Sequence, residues 1–230
     1  DRDVTGLSIA VRPGGSVNGR LRVEDDKPLP PAQVLQRAIA FVSMLNPPPG
    51  TNSGAFGNRI NPDGTFRVPF LVPGRYQVSA TNLQGLPTVK SVEVDGTDMT
   101  DLPIEITPET APKEVVATLT DQWQGVTGRL SDGAGAAATD YVVVLFPADK
   151  TYWLHGSRRI VAARPDSSGR FTLGGSGIFS VPPGDYLLAA VTDLGKDEQY
   201  DPALLNQLLQ AAAPLTLKPG EKKTQDLVIR

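Results

Sequence analysis

The sequence predicts an all-β protein made of two tandem β-sandwich modules, the second with one short helical insertion. Three observations carry this. The chain holds 23 glycines and 21 prolines in 230 residues, well above the ~12% of ordinary usage, which favours many turns between short strands. Hydrophobic residues still make up 40%, enough for packed cores and too many for a disordered chain. Most decisive is an internal repeat. Ser16-Val17-Asn18-Gly19-Arg20-Leu21 returns as Gly125-Val126-Thr127-Gly128-Arg129-Leu130. Asp63-Gly64-Thr65-Phe66 returns as Ser168-Gly169-Arg170-Phe171, and Pro73-Gly74-Arg75-Tyr76 as Pro183-Gly184-Asp185-Tyr186. Three motifs in one order at offsets of 109, 105 and 110 mark two similar modules. The modules are expected at 1–107 and 114–230, joined by a proline-bearing linker at 108–113.

Each element follows from its residues. The glycine of Asp63-Gly64 and Ser168-Gly169 accepts φ > 0 and lets the chain reverse between strands. Pro73-Gly74 and Pro183-Gly184 suit the centre of a type II turn. Arg75 to Thr81 alternates, so Tyr76, Val78 and Ala80 point to a core. The counterpart Tyr186 to Val191, and Val142 to Phe146, are apolar on both faces. The second module is therefore expected to bury part of an outer sheet surface. The spacing from Gly96 to Gly220, 124 residues, exceeds the repeat and places extra chain near Lys196 to Gln210. Within it, Asp201 to Ala212 reads as a helix, capped by Asp201, with Pro202 in its first turn and Leu204, Leu205, Leu208 and Leu209 as one apolar stripe. That stripe packs on the second module or binds a partner. Asn46 to Gly54, with its three consecutive prolines, reads as an exposed loop, and Gly174 to Gly177 as a flexible one.

The first residues have two readings. Leu7, Ile9 and Val11 alternate as a strand, either the first of module one, matching Val115 to Leu119, or the closing strand of a module that is not present. The second reading rests on the likeness of Asp3 to Ile9 to Asp98 to Ile104, expected to close module one. An unpaired strand there offers an edge for strand addition to a neighbouring subunit. The chain starts at Asp1 and shows no leader pattern, as expected for a processed or excerpted chain.

The order Val-x-Gly-Arg-Leu, Asp-Gly-x-Phe, Pro-Gly-x-Tyr and an alternating strand resembles carboxypeptidase regulatory-like domains. These are transthyretin-like or prealbumin-like, Ig-like β-sandwiches. The resemblance covers most of the chain in two copies and rests on turn and core residues. It implies an exported or cell-surface protein of bacterial type, whose relatives act as spacers, stalks, carbohydrate-binding modules or parts of surface assemblies. Fold analogy does not choose among these.

Composition narrows the chemistry. The 22 basic and 25 acidic side chains nearly balance, which argues against nucleic acid or an anionic membrane as main partner. No apolar run approaches the ~18 residues of a bilayer span. With no cysteine and a single histidine, His155, thiolate sites, multi-histidine metal sites and a second triad histidine are excluded. No nucleophile elbow or phosphate loop is present. Asp63 and Asp166 read as turn residues and not calcium ligands. An intramolecular Lys–Asn isopeptide bond, known in some related sandwiches, needs an early lysine that Leu7 to Val11 lacks. No catalytic residue, metal or cofactor is expected. The one candidate ligand site is Tyr152, Trp153 and His155, whose rings could stack on a sugar or instead bury at the module interface. Arg158 and Arg159 read as an exposed basic spot. The leading expectation is a non-catalytic structural module that spaces, presents or self-assembles, with a carbohydrate-binding module as the alternative.

Overall fold

The computed structural model describes residues 14–47, 55–81, 87–107, 109, 112, 114–175 and 180–229. The expected strand of Leu7, Ile9 and Val11 lies outside them, as do most of the proline loop and most of residues 108–113. The first half contains β1 (Gly15–Val23), α1 (Ala32–Leu35), β2 (Ile39–Met44), β3 (Ala55–Arg59), β4 (Thr65–Leu71), β5 (Gly74–Thr81), β6 (Thr88–Val94), β7 (Thr97–Asp98), β8 (Ile104–Ile106) and β9 (Val115–Thr120). The second half contains β10 (Gly125–Ser131), β11 (Val142–Pro147), β12 (Val161–Ala163), β13 (Arg170–Gly174), β14 (Gly184–Val191), α2 (Pro202–Leu208), β15 (Ala213–Leu217), β16 (Lys222–Thr224) and β17 (Leu227–Val228).

These strands make two sandwiches, as an all-β chain requires. In the first, sheet β4-β1-β9-β6-β7 faces sheet β3-β2-β5-β8 across one core that includes Val17, Leu21, Val42, Phe66, Tyr76, Ile106 and Leu119. In the second, β13-β10-β16, with β17 beside β10, faces β12-β11-β14-β15 across Val126, Leu130, Val143, Leu145, Phe171 and Tyr186.

The matched motifs hold matched places. A Cβ on Gly19 would stand 2.4 Å from the Val115 carbonyl oxygen and 2.5 Å from Phe66 Cζ. On Gly128 it would stand 2.0 Å from the Gln225 carbonyl oxygen and 2.6 Å from Phe171 Cζ. In both sandwiches the glycine admits a closing strand that runs parallel to the first strand, with a phenylalanine ring beneath. Gly64 and Gly169 take φ of 83° and 81° at the tight turns. Asp63 and Asp166 each accept two or more bonds from the turn that follows, as Asx-turn residues. Tyr76 Oη donates to the Val72 carbonyl at 2.8 Å and Tyr186 Oη to the Pro182 carbonyl at 2.7 Å.

The strand pairing moves the expected boundary. Val115–Thr120 does not open the second sandwich. It pairs in parallel with β1 and antiparallel with β6, and all six residues are buried. The first sandwich therefore ends at Thr120, and only residues 121–124 separate it from β10. Ile104–Ile106, expected to close the first module, is instead the edge strand of its second sheet, beside β5.

The helix is where it was expected, for a different reason. Gly96 turns β6 into β7, whereas Gly220 turns β15 toward β16, so these glycines are not counterparts. Tyr76 pairs with Ile104 and Tyr186 with Leu215, enclosing nearly equal lengths of chain. The second sandwich has thus exchanged the β6–β7 hairpin for α2. Asp201 caps it by accepting from Ala203 N at 2.8 Å, and Pro202 opens the first turn. It stops at Leu208, short of the expected 212, because the chain must turn to enter β15 at Ala213. Leu205 and Leu208 pack with Val142, Val144, Phe146, Trp153 and Ile160 in a second core layer outside the sheet. That layer explains the two-sided apolarity of β11 and of β14, and the leucine stripe faces the protein's own sheet.

Candidate functional site

The sequence singles out the segment after β11, and the structure gives it a different task. Asp149 nucleates a single 3-10 turn by accepting from Thr151 N at 2.9 Å. This turn points Trp153 inward. Only 7% exposed, Trp153 donates from Nε1 to the Pro147 carbonyl at 2.8 Å and meets Phe146 edge-on at 5.9 Å. Tyr152 is half-buried, with the Arg159 guanidinium 4.4 Å from its ring centre. His155 is exposed and lies 5.1 Å from the Tyr200 ring. The three aromatic residues are near in sequence but present no common ring face, and Trp153 is a core residue.

The segment's next residues make the site. Asp101, between β7 and β8 of the first sandwich, takes a left-handed backbone conformation at φ 61°, which aspartate tolerates better than most residues. Its own carbonyl accepts from Gln77 Nε2 at 2.9 Å, which ties it to β5. Both carboxylate oxygens reach across to the second sandwich. Oδ1 accepts from Arg158 Nε at 2.5 Å and Oδ2 from Arg159 Nε at 2.7 Å. Arg158 Nη1 also donates to the Val89 carbonyl at 2.7 Å, on the hairpin that the second sandwich lacks. Arg159 Nη1 turns back to the Pro183 carbonyl at 3.3 Å and to Tyr186 Oη at 3.5 Å. Side-chain exposure is 10% for Asp101, 11% for Arg159 and 27% for Arg158. The exposed basic spot expected at Arg158 and Arg159 is therefore a partly buried clamp between the two sandwiches.

Its electrostatics fit fastening. Burial, the largest single influence, would weaken the Arg159 charge, but Asp101 together with Tyr186 and Tyr152 more than offsets it and holds the guanidinium above its ordinary value. Burial pushes the Tyr186 hydroxyl far up, so it stays a neutral hydrogen-bonding group. Arginine does not release a proton in the working pH range, so the guanidiniums act here as fixed positive charges. The end of the 121–124 link is tied to the second sandwich. Gln124 N donates to Ser180 Oγ at 3.2 Å, and both residues are buried. Among the described residues no group of three or more acidic, histidine or cysteine side chains could hold a metal ion.

Sequence reasoning missed Asp101, because a lone aspartate before Leu102-Pro103 reads as a loop residue. The adjacent Arg158-Arg159 pair was the one available signal, and adjacency alone suggests solvent.

No protein family matches the chain, and no curated protein matches it. Several solved structures are similar at low identity. The Bacillus anthracis TIE protein is 14% identical over 94% of this chain, with a TM-score of 0.31, and the chain spans only 34% of it. A streptococcal ancillary pilin is 12% identical over 93% of this chain and 68% of its own, with a TM-score of 0.32. A minor pilin of Streptococcus agalactiae is 12% identical over 92% of this chain and 94% of its own, at the same TM-score.

Proposed function

We propose that the protein is a non-catalytic structural module of a surface protein or surface filament, in which two sandwiches act as one stiff spacer. The observation that carries this is the clamp of Asp101 on Arg158 and Arg159. It joins two folded units that only residues 121–124 connect. A flexible tether needs no such bond, because four free residues would let the units reorient. The resemblance to carboxypeptidase regulatory-like domains supports an exported or cell-surface setting, with protein partners or further copies of the chain as what it meets. The carbohydrate-binding alternative loses its main support, since Trp153 is buried and Tyr152 is covered by Arg159.

The chain has no native cysteine, so Thr97→Cys and Ala134→Cys place one spin label on each sandwich, both at exposed positions. Pulsed electron resonance should give one narrow distance distribution. A broad distribution in the unmodified background would overturn the stiff-spacer reading.

A further inference from the structure

The two sandwiches allow one surface to be compared in two situations. The pole of the second sandwich holding Pro182, Pro183 and Tyr186 is where the first is fastened, through Arg159 and Asp101. Val181 and Pro182 are buried there. The tyrosine bonds identify the same pole of the first sandwich, where Val72 stands in the place of Pro182. Among the described residues that pole is open and apolar. Val72 is 51% exposed and Phe70 83% exposed. Phe70 also holds φ at 63°, a strained conformation for a bulky side chain. Strand register puts Gly175 in its place in the second sandwich, after Gly174, both at positive φ. The backbone path there suits glycine, and the first sandwich presents a phenylalanine instead.

The far end of the molecule is apolar too. Val228 is 57% exposed on β17, at the end of the second sandwich away from the clamp. In the first sandwich, β6 covers the outer edge of β9. Among the described residues the corresponding edge of β17 has no such cover, because α2 replaced the hairpin and packs elsewhere. Phe70, Val72 and Val228 are three of the four large apolar side chains that stand exposed among the described residues. They sit at opposite poles.

We infer that these poles bind each other between copies of the chain, Phe70 and Val72 of one copy seating the Leu227–Ile229 end of the next. The contact repeats the internal pole-to-end arrangement of the two sandwiches. Being head-to-tail, it does not close on itself and yields open-ended rows. It rests on the assembly side of the proposed function and is separable from the stiffness of a single copy.

Light scattering on the full chain, to roughly millimolar concentration, should show the average mass rising to at least about twice that of the monomer, as a weak small interface requires. Phe70→Asp and Val228→Asp should each abolish the rise. Both positions are exposed and outside the cores, so both variants should fold, and a melting curve of each checks this. An equimolar mixture of the two variants should stop at dimers, since each retains one intact pole. A constant monomer mass throughout overturns the inference, as does growth that neither substitution affects. A monomer whose Phe70→Asp variant loses thermal stability also overturns it, by giving the pole to residues 1–13 of the same chain. None of these outcomes alters the spin-label distance, which tests the spacer separately.

Discussion

Replacing Asp101 with alanine should convert the stiff pair into two loosely tethered sandwiches. The substitution removes the acceptor of both guanidinium Nε groups, at 2.5 and 2.7 Å, and leaves two positive charges facing each other. Breaking a buried pair by removing one partner costs about 3–5 kcal/mol. Here the lower figure applies, because Arg158 is 27% exposed and water can reach its freed nitrogens. A loss of about 3 kcal/mol lowers the closed-to-open ratio of the joint roughly a hundredfold. The Asp101→Ala chain carrying labels at positions 97 and 134 should therefore show a broad distance distribution. A thermal melt should add a double-mutant cycle with Arg159→Ala. Once Asp101 is gone Arg159 has lost its ion-pair partner and keeps only its bonds to Pro183 and Tyr186 and its place over the Tyr152 ring, so the second substitution should cost less than it does alone. Strictly additive losses, or an unchanged narrow distribution in Asp101→Ala, would refute the reasoning.

Other expectations follow from single contacts. Gly128→Ala should destabilise the second sandwich toward the upper end of the about 1–3 kcal/mol typical of overpacking, since its methyl would stand 2.0 Å from a backbone carbonyl; denaturant titration measures this. Trp153→Ala should cost about 3–5 kcal/mol as a cavity in the outer core layer, so any glycan assay of it must be paired with a melting curve. Glu24 accepts from Lys90 and from Thr120 Oγ1, and these bonds hold its carboxyl below the ordinary 4.5. A lowered folded value means stability that is present above 4.5 and lost as pH falls through the folded value. Glu24→Gln should therefore flatten the acid limb of melting temperature against pH while lowering stability at neutral pH.

The sequence made the architecture legible through residues whose roles are local. Glycine at a tight turn, alternation along β5 and an aspartate-capped leucine stripe each act within a few positions of themselves. What it hid depended on pairing at long range. Val115–Thr120 is buried on both faces, with Val115, Ala117 and Leu119 in the first core and Val116, Thr118 and Thr120 on the opposite face, and nothing in its own residues says which sandwich it joins. The exchange of a hairpin for α2 was masked by nearly equal chain lengths, so the glycine spacing located the helix through a false equivalence. Trp153 and the two arginines were misread alike. Side chains that are usually visible at a surface were drawn inward by partners 6 and 57 or more residues away.

Among the described residues the first sandwich begins on β1 and ends on β9, adjacent strands that run in the same direction. Tension applied at the two ends therefore drags these strands past one another along their length. The pairs from Gly19 and Val115 to Val23 and Leu119 are then loaded together and must yield together, whereas a hairpin pulled from its open end unzips one pair at a time. The second sandwich repeats the route with β10 and the closing strands β16 and β17. A row of such units would bear load in shear at every link, and its lifetime under force would be set by an unfolding rate and not by equilibrium stability.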